Sequence, residues 1–235
     1  MEKLKIDSLE DFIGIPLVGR EDDDDMDSVV LCRGQVSAKP LLPRIARRNP
    51  AADTAGIERK MIKELRRRGS LFIGNTISDD WELLVLAQHY GMATRLLDWT
   101  TNPLVALWFA CEDGNSSQPS YVYIFVPEDK YFLNRSQDKD PFAIGRTKIL
   151  QPNLNNNRIV AQSGWFTAHP YSAPGKRFVP LQTNAVHTKH LYEITVPGKL
   201  KRQLLMKLDM LGINKQSLFP DLQGICEHIN WLNRI

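Results

Sequence analysis

Between Trp81 and Asp113 a set of polar side chains, Gln88, His89, Thr94, Arg95, Asp98, Thr100 and Asn102, runs through residues that otherwise read as core. Buried polar groups cost free energy unless each finds a partner, so this segment is expected to form a hydrogen-bonded scaffold or the wall of a binding site. Arg33 adds to the set: its guanidinium offers a planar fork of donors suited to phosphate or carboxylate. Gly34 beside it would let a ligand approach the backbone closely. Arg33 paired with Asp98, tying a strand to a loop, is an equally good reading, and both stay open. Arg95 and Asp98 are three apart, so in an extended segment they face opposite sides and need different partners. Arg95 is expected to reach Gln88 or a backbone carbonyl. His89, at a helix end, has the chemistry of an acid–base group or a ligand-orienting donor, although a satisfied helix-terminal histidine is commoner. The other histidines show no metal-ligand spacing. Cys32, Cys111 and Cys226 are far apart in apolar contexts and read as small core residues. No Gly-x-Ser-x-Gly elbow and no phosphate-cradling glycine loop occurs.

These residues need elements to hold them. Val29 to Cys32 reads as a buried strand delivering Arg33, Gly34 and Gln35 at its end. Asp79 or Asp80 can cap a helix from Trp81 to about Tyr90, which Gly91 is placed to end. Residues 94–99 should be extended. Asn102 as cap with Pro103 at the first helical position starts a second helix, apolar nearly all round. Further strands are expected at 121–126, 158–166 and 191–196. Residues 4–14 carry a helix start signal, Asp7 or Ser8 capping a short helix through Leu9, Phe12 and Ile13, and further helices are expected over 57–68 (Ile57, Met61, Ile62 and Leu65 inward), 199–211 and 220–232. The pattern is α+β: one domain over 1–235, with an N-terminal helix and acidic loop over 1–28. Its twisted mixed or antiparallel sheet should have about five or more strands flanked by helices.

With 43% hydrophobic and 24% charged residues and a net charge of +3, the 235-residue chain has the balance of an ordinary soluble domain. The run at 21–25 (EDDDD) reads as a solvated loop. The stretch from Arg44 to Arg68 is basic; a solvent-facing helix side is the commoner reading and a nucleic-acid contact the other. No stretch resembles a leader or a membrane span, so a cytoplasmic location is expected.

Three blocks resemble the FRG domain, a family found mostly in bacteria and phages. The first is Leu31-Cys32-Arg33-Gly34-Gln35, with Cys32 where an aromatic ring is usual. The second, and most specific, runs from Gln88-His89-Tyr90-Gly91 through Thr94-Arg95-Leu96-Leu97-Asp98-Trp99-Thr100 to Asn102-Pro103-Leu104 and Phe109-Ala110. The third is Arg158 to Phe166, with Gln162 and Gly164, and the segment Leu218 to Leu222 also matches. The family name implies no settled activity. A fainter architectural resemblance to ADP-ribosyltransferases implies NAD as substrate, without a metal, in a toxin or defence effector. Under that resemblance Arg33 contacts NAD, and Thr94, Thr100 or Thr101 shapes the pocket. The catalytic carboxylate has no clean owner. Gln162 falls near its place but cannot act as a base, and Glu193 is the alternative, expected on the solvent face of its strand. The pocket is expected where Arg33 and Gln35 meet Gln88, His89, Thr94, Arg95, Asp98 and Gln162. A noncatalytic module recognising protein or nucleic acid is the competing expectation.

Overall fold

The structure, a computed structural model, describes residues 1–18, 29–73, 77, 79–114, 117–154 and 156–234. The acidic run at 21–25 lies outside them. Among the described residues a single large sheet carries β1 (Glu2–Lys5), β2 (Leu31–Gln35), β3 (Leu96–Thr100), β4 (Ser120–Phe125), β5 (Lys148–Leu150), β6 (Gly164–Ala168) and β9 (Leu191–Val196). Their order is β1-β9-β4-β2-β3-β6-β5. Of these strands only β1 and β9 run parallel; the other strand ladders are antiparallel. A short hairpin, β7 (Tyr171–Ser172) with β8 (Arg177–Phe178), stands apart.

Most ladders are long, but β2 meets β3 at one pair, Cys32 with Thr100. Beyond that pair the two strands separate, and the sheet opens at its middle. Helix α6 (Pro103–Cys111) covers one face of this junction, burying Val105, Ala106, Leu107, Trp108, Ala110 and Cys111. A Cβ added to Gly34 would lie 1.9 Å from the Ala106 carbonyl oxygen. The glycine is therefore needed for the helix to lie against β2, a reason its sequence context did not suggest.

The N-terminal side supplies α1 (Leu9–Val18), started by Ser8 Oγ accepting from the Asp11 amide at 3.0 Å. Then follow α2 (Arg44–Arg47), α3 (Ala55–Arg68), α4 (Ser70–Ile73) and α5 (Asp80–His89). α5 starts as its sequence dictates: the Asp79 side chain accepts from the Glu82 amide, and Gly91 ends the helical turn at φ +82°. The second half adds α7 (Asn157–Ala161), α8 (Lys201–Met210), α9 (Lys215–Leu218) and α10 (Leu222–Leu232).

Several expectations need correction. The stretch 158–166 is not one strand. Asn156 caps α7, Ser163 turns the chain at φ +47°, and only then does β6 begin. α3 is rotated from its expected face: Glu58 and Ile62 are buried, whereas Ile57 is exposed. Glu193 is buried rather than solvent-facing, with Lys3 Nζ 2.9 Å away from the neighbouring strand. Cys226 is exposed, unlike Cys32 and Cys111.

Two histidines behind the sheet make stability depend on pH. His169 is buried against the Thr167 hydroxyl, 2.9 Å away, which also accepts from the Trp99 indole N–H. Burial pushes the His169 pKa down to about 3. His187 lies edge-on to Phe125 and Tyr131, its Nδ1 has no hydrogen-bond partner among the described residues, and burial pushes its pKa down to about 4. Both are neutral when folded at neutral pH, whereas an unfolded histidine protonates near pH 6.5. Below that pH the unfolded chain binds more protons, so stability falls from pH 6.5 toward about pH 3. The upper part of this window lies above the carboxylate range. There, His169→Gln combined with His187→Phe should flatten the pH profile of the urea midpoint, and an unchanged slope would rule these histidines out as its source.

Candidate functional site

The opening between β2 and β3 is a cleft of about 440 Å³. Its wall begins with Arg33, half-buried where the strands part. Arg33 Nη1 donates to the Asp98 backbone carbonyl at 2.6 Å, and its Nε reaches Gln35 Oε1 at 3.4 Å. The Asp98 carboxylate is 3.7 Å from Nη1, a loose pairing with 55% of the Asp98 side chain open to solvent. Arg33 thus stands in for the missing ladder partner of β3. Its Nη2 makes no hydrogen bond to any described residue. Burial holds the Arg33 pKa below the ordinary arginine value, Asp98 opposes that shift, and the nearby Arg47 charge adds to it.

Asp98 is held from the other side by a short relay. Thr94 Oγ1 donates to Gln88 Oε1 at 2.7 Å, which turns the Gln88 amide nitrogen toward both Asp98 oxygens, at 3.1 and 3.2 Å. Thr94 is therefore buried behind the cleft and orients Gln88. Arg95 is also absent from the lining. It runs the opposite way from Asp98 into an ion pair with Glu58, Nη2 to Oε1 2.8 Å, with side chains only 1% and 2% exposed. It also donates to the Pro141 carbonyl, which meets the second of its two expected partners, a backbone carbonyl rather than Gln88.

Across from Arg33 stand His89, at the end of α5, Arg158 on α7, and Gln162, which caps the end of α7. Burial lowers the His89 pKa, the Arg158 charge lowers it further, and Asp221 opposes both. Gln162 lines the cleft, but its amide is committed to the Leu218 carbonyl at 3.0 Å. Thr100 is part of the wall. Thr101 is exposed and is not among the lining residues; neither is Glu193, two strands away on β9.

The cleft also holds groups that sequence reasoning passed over: Arg47, Lys39, Glu112, Trp99, Phe109 and Phe219. A signal existed for Phe219, since the segment 218–222 was conspicuous. Asp221 in that segment pairs with Arg158, drawing the third block and the C-terminal block to one rim. Glu112 follows α6, where burial raises its carboxyl pKa and Lys215 opposes the rise. Four cations, Arg33, Lys39, Arg47 and Arg158, face two carboxylates, Asp98 and Glu112, beside the rings of Phe109 and Phe219, with Trp99 packed into the core behind. Such a surface suits an anion carrying a planar group.

The basic stretch from Arg44 to Arg68 is less available. Arg59 pairs with Asp140, Arg66 with Asp80, and Arg67 and Arg68 both with Glu64.

Residues 28–119 match the family model described as the FRG domain. These residues carry an FRG domain. No curated protein and no solved structure gives a significant match to the chain. The matched span of the FRG domain contains Arg33, Gln88, His89, Asp98 and Glu112, while Arg158, Gln162 and Phe219 complete the cleft from beyond it. No helix among the described residues is long and apolar enough to cross a membrane.

Proposed function

We propose that the cleft binds a nucleotide, with NAD as the candidate substrate, and that this FRG domain breaks the nicotinamide–ribose bond in the manner of an ADP-ribosyltransferase or NAD glycohydrolase. The observation that carries this reading is the uncommitted Nη2 face of Arg33 beside Arg47 in a cleft with exposed Asp98. Two guanidinium groups kept close together disfavour one another, and an anion such as a diphosphate relieves that strain. Phe109 and Phe219, both partly exposed, offer faces or edges to a base.

In this scheme Asp98, held in place by Gln88 and Thr94, faces the positive charge that develops at the ribose C1′. The C1′–nitrogen bond breaks with its electron pair leaving on nicotinamide. Water or another acceptor then bonds to C1′, and His89, with its depressed pKa, takes the acceptor's proton. Gln162, fixed by Leu218, supports the rim without accepting a proton. A role as a bacterial or phage toxin or defence effector would follow from NAD consumption.

Nicotinamide release from NAD, followed by chromatography, and NAD binding, followed by calorimetry, test the proposal. Arg33→Lys should keep the fold and weaken NAD binding by about tenfold or more, because an ammonium cannot reproduce the fork. Asp98→Asn should lower the cleavage rate by roughly 10²–10³-fold with a smaller change in affinity. No binding and no nicotinamide release by the unsubstituted chain would overturn the reading.

A further inference from the structure

The arginines at the start of the basic stretch escape the pairing that occupies those on α3. Arg44, Arg47 and Arg48 are exposed, and none forms an ion pair with a described carboxylate. Arg44 Nη1 donates to the Gly91 carbonyl at 2.9 Å and Arg47 Nε to the Leu42 carbonyl at 3.0 Å. Both acceptors are neutral, so the charges stay uncompensated. Their i, i+3, i+4 spacing puts the three on one face of α2. Ala46 points inward instead, into a small apolar cluster with Leu42 and Phe178.

Phe178 belongs to β8, and its amide donates to the Pro50 carbonyl at 2.8 Å. The Tyr171 hydroxyl on β7 donates to the Ala51 carbonyl at 3.2 Å. The hairpin is thereby fastened to the segment that follows α2. Strand alternation turns Arg177 away from buried Phe178, and Lys176 forms the turn at φ +48°. Both are exposed, and neither pairs with a described carboxylate.

The surrounding sequence supplies little acid to quench this band. No Asp or Glu occurs between Asp27 and Asp53, or between Asp140 and Glu193. Asp53 itself accepts from the Ala55 amide at 3.0 Å. In a chain with 30 basic and 27 acidic residues, five uncompensated cations in one band are a local excess that favours a polyanion. Arginine forks match phosphate oxygens. Neither α2 nor the hairpin exposes a large apolar side chain, so the band offers no anchor to a lipid layer or a peptide. An exposed ring does stand at its edge: Tyr90, 76% exposed, precedes the Gly91 that Arg44 holds. An unpaired base can stack on such a ring.

We propose that α2 and the β7–β8 hairpin bind single-stranded nucleic acid, with the five cations along its phosphates and Tyr90 against a base. The band is separate from the nucleotide reading and is tested without NAD. Only Arg47 also lines the cleft, so the test leaves it unchanged.

The full chain is titrated into fluorescein-labelled DNA and RNA strands of about twenty nucleotides, with anisotropy read from about 50 to 200 mM salt. Affinity should fall with a log–log slope of about 3, roughly 0.7 for each phosphate neutralised. Arg48→Ala, Lys176→Ala and Arg177→Ala together should weaken binding about tenfold or more and lower the slope by about 2. Tyr90→Ala should weaken it about fivefold and leave the slope unchanged. Arg67→Ala with Arg68→Ala, on α3, should change it by less than about twofold. Binding of either strand supports the proposal, and the tighter one names the sugar. No binding at low salt, full affinity in the triple variant, or tighter binding of duplex than of single strand would overturn it. So would equal affinity for polyglutamate or for phosphatidylserine vesicles.

Discussion

Arg95→Met is expected to lower stability by about 3–5 kcal/mol, because it leaves Glu58 charged and unpaired in the interior. The pair is almost fully enclosed, 2.8 Å between Nη2 and Oε1. The Thr54 hydroxyl donates to the same carboxylate, and Phe142 lies under the guanidinium at 5.0 Å. In a chain of this size the loss corresponds to a fall of roughly 6–20 °C in Tm, read by calorimetry or a urea titration. Glu58→Gln should cost a comparable amount. The double variant should recover part of the loss, since neither charge is then stranded. The result separates Arg95 from Arg33: the former should fail by unfolding, the latter by losing its ligand. A loss below about 1 kcal/mol would show that the pair is no more important than a surface bridge.

Gly34→Ala carries the second large effect. Its new methyl would sit 1.9 Å from the Ala106 oxygen and 2.5 Å from the Ala110 nitrogen. Both are backbone atoms, so no rotamer change relieves the clash and α6 as a whole must retreat from β2. Overpacking a core usually costs about 1–3 kcal/mol, occasionally more. Here the upper end, about 3 kcal/mol, is expected from the urea midpoint. The retreat would also displace Phe109 and Glu112, so NAD affinity should fall in whatever fraction stays folded. Stability unchanged to within about 0.5 kcal/mol would sink the close-packing argument.

Which parts were legible in the sequence follows from how local their causes are. The start of α5 at Asp79, its end at Gly91, and the start of α6 at Asn102 are decided by hydrogen bonds spanning a few residues, and each stands where its residue type puts it. The α+β class and the central strands were likewise readable from short apolar runs. β1 was not, because EKLK at an edge has no apolar run to mark it. The break inside 158–166 is hidden in a continuous apolar pattern and shows only in the left-handed backbone of Ser163. Arg33, Gln88, His89 and Asp98 were gathered correctly, because they cluster at strand and helix ends near the junction. Arg95 was misplaced because its partner lies thirty-seven positions upstream, on a helix whose charges looked solvated. Glu112 was missed because a carboxylate just past a helix reads as an ordinary solvated end.

The single register pair joining β2 to β3 divides the sheet into two plates, β1-β9-β4-β2 and β3-β6-β5, with Cys32 and Thr100 as their hinge. α6 follows β3 along the chain yet rests on β2, so it splints the two plates across that hinge. A small rotation about the joint would change the width of the gap while every other ladder stayed intact. Arg33, reaching from one plate to the Asp98 carbonyl of the other, is the latch across that gap. A ligand drawing Arg33 away would release the latch in the act of being held.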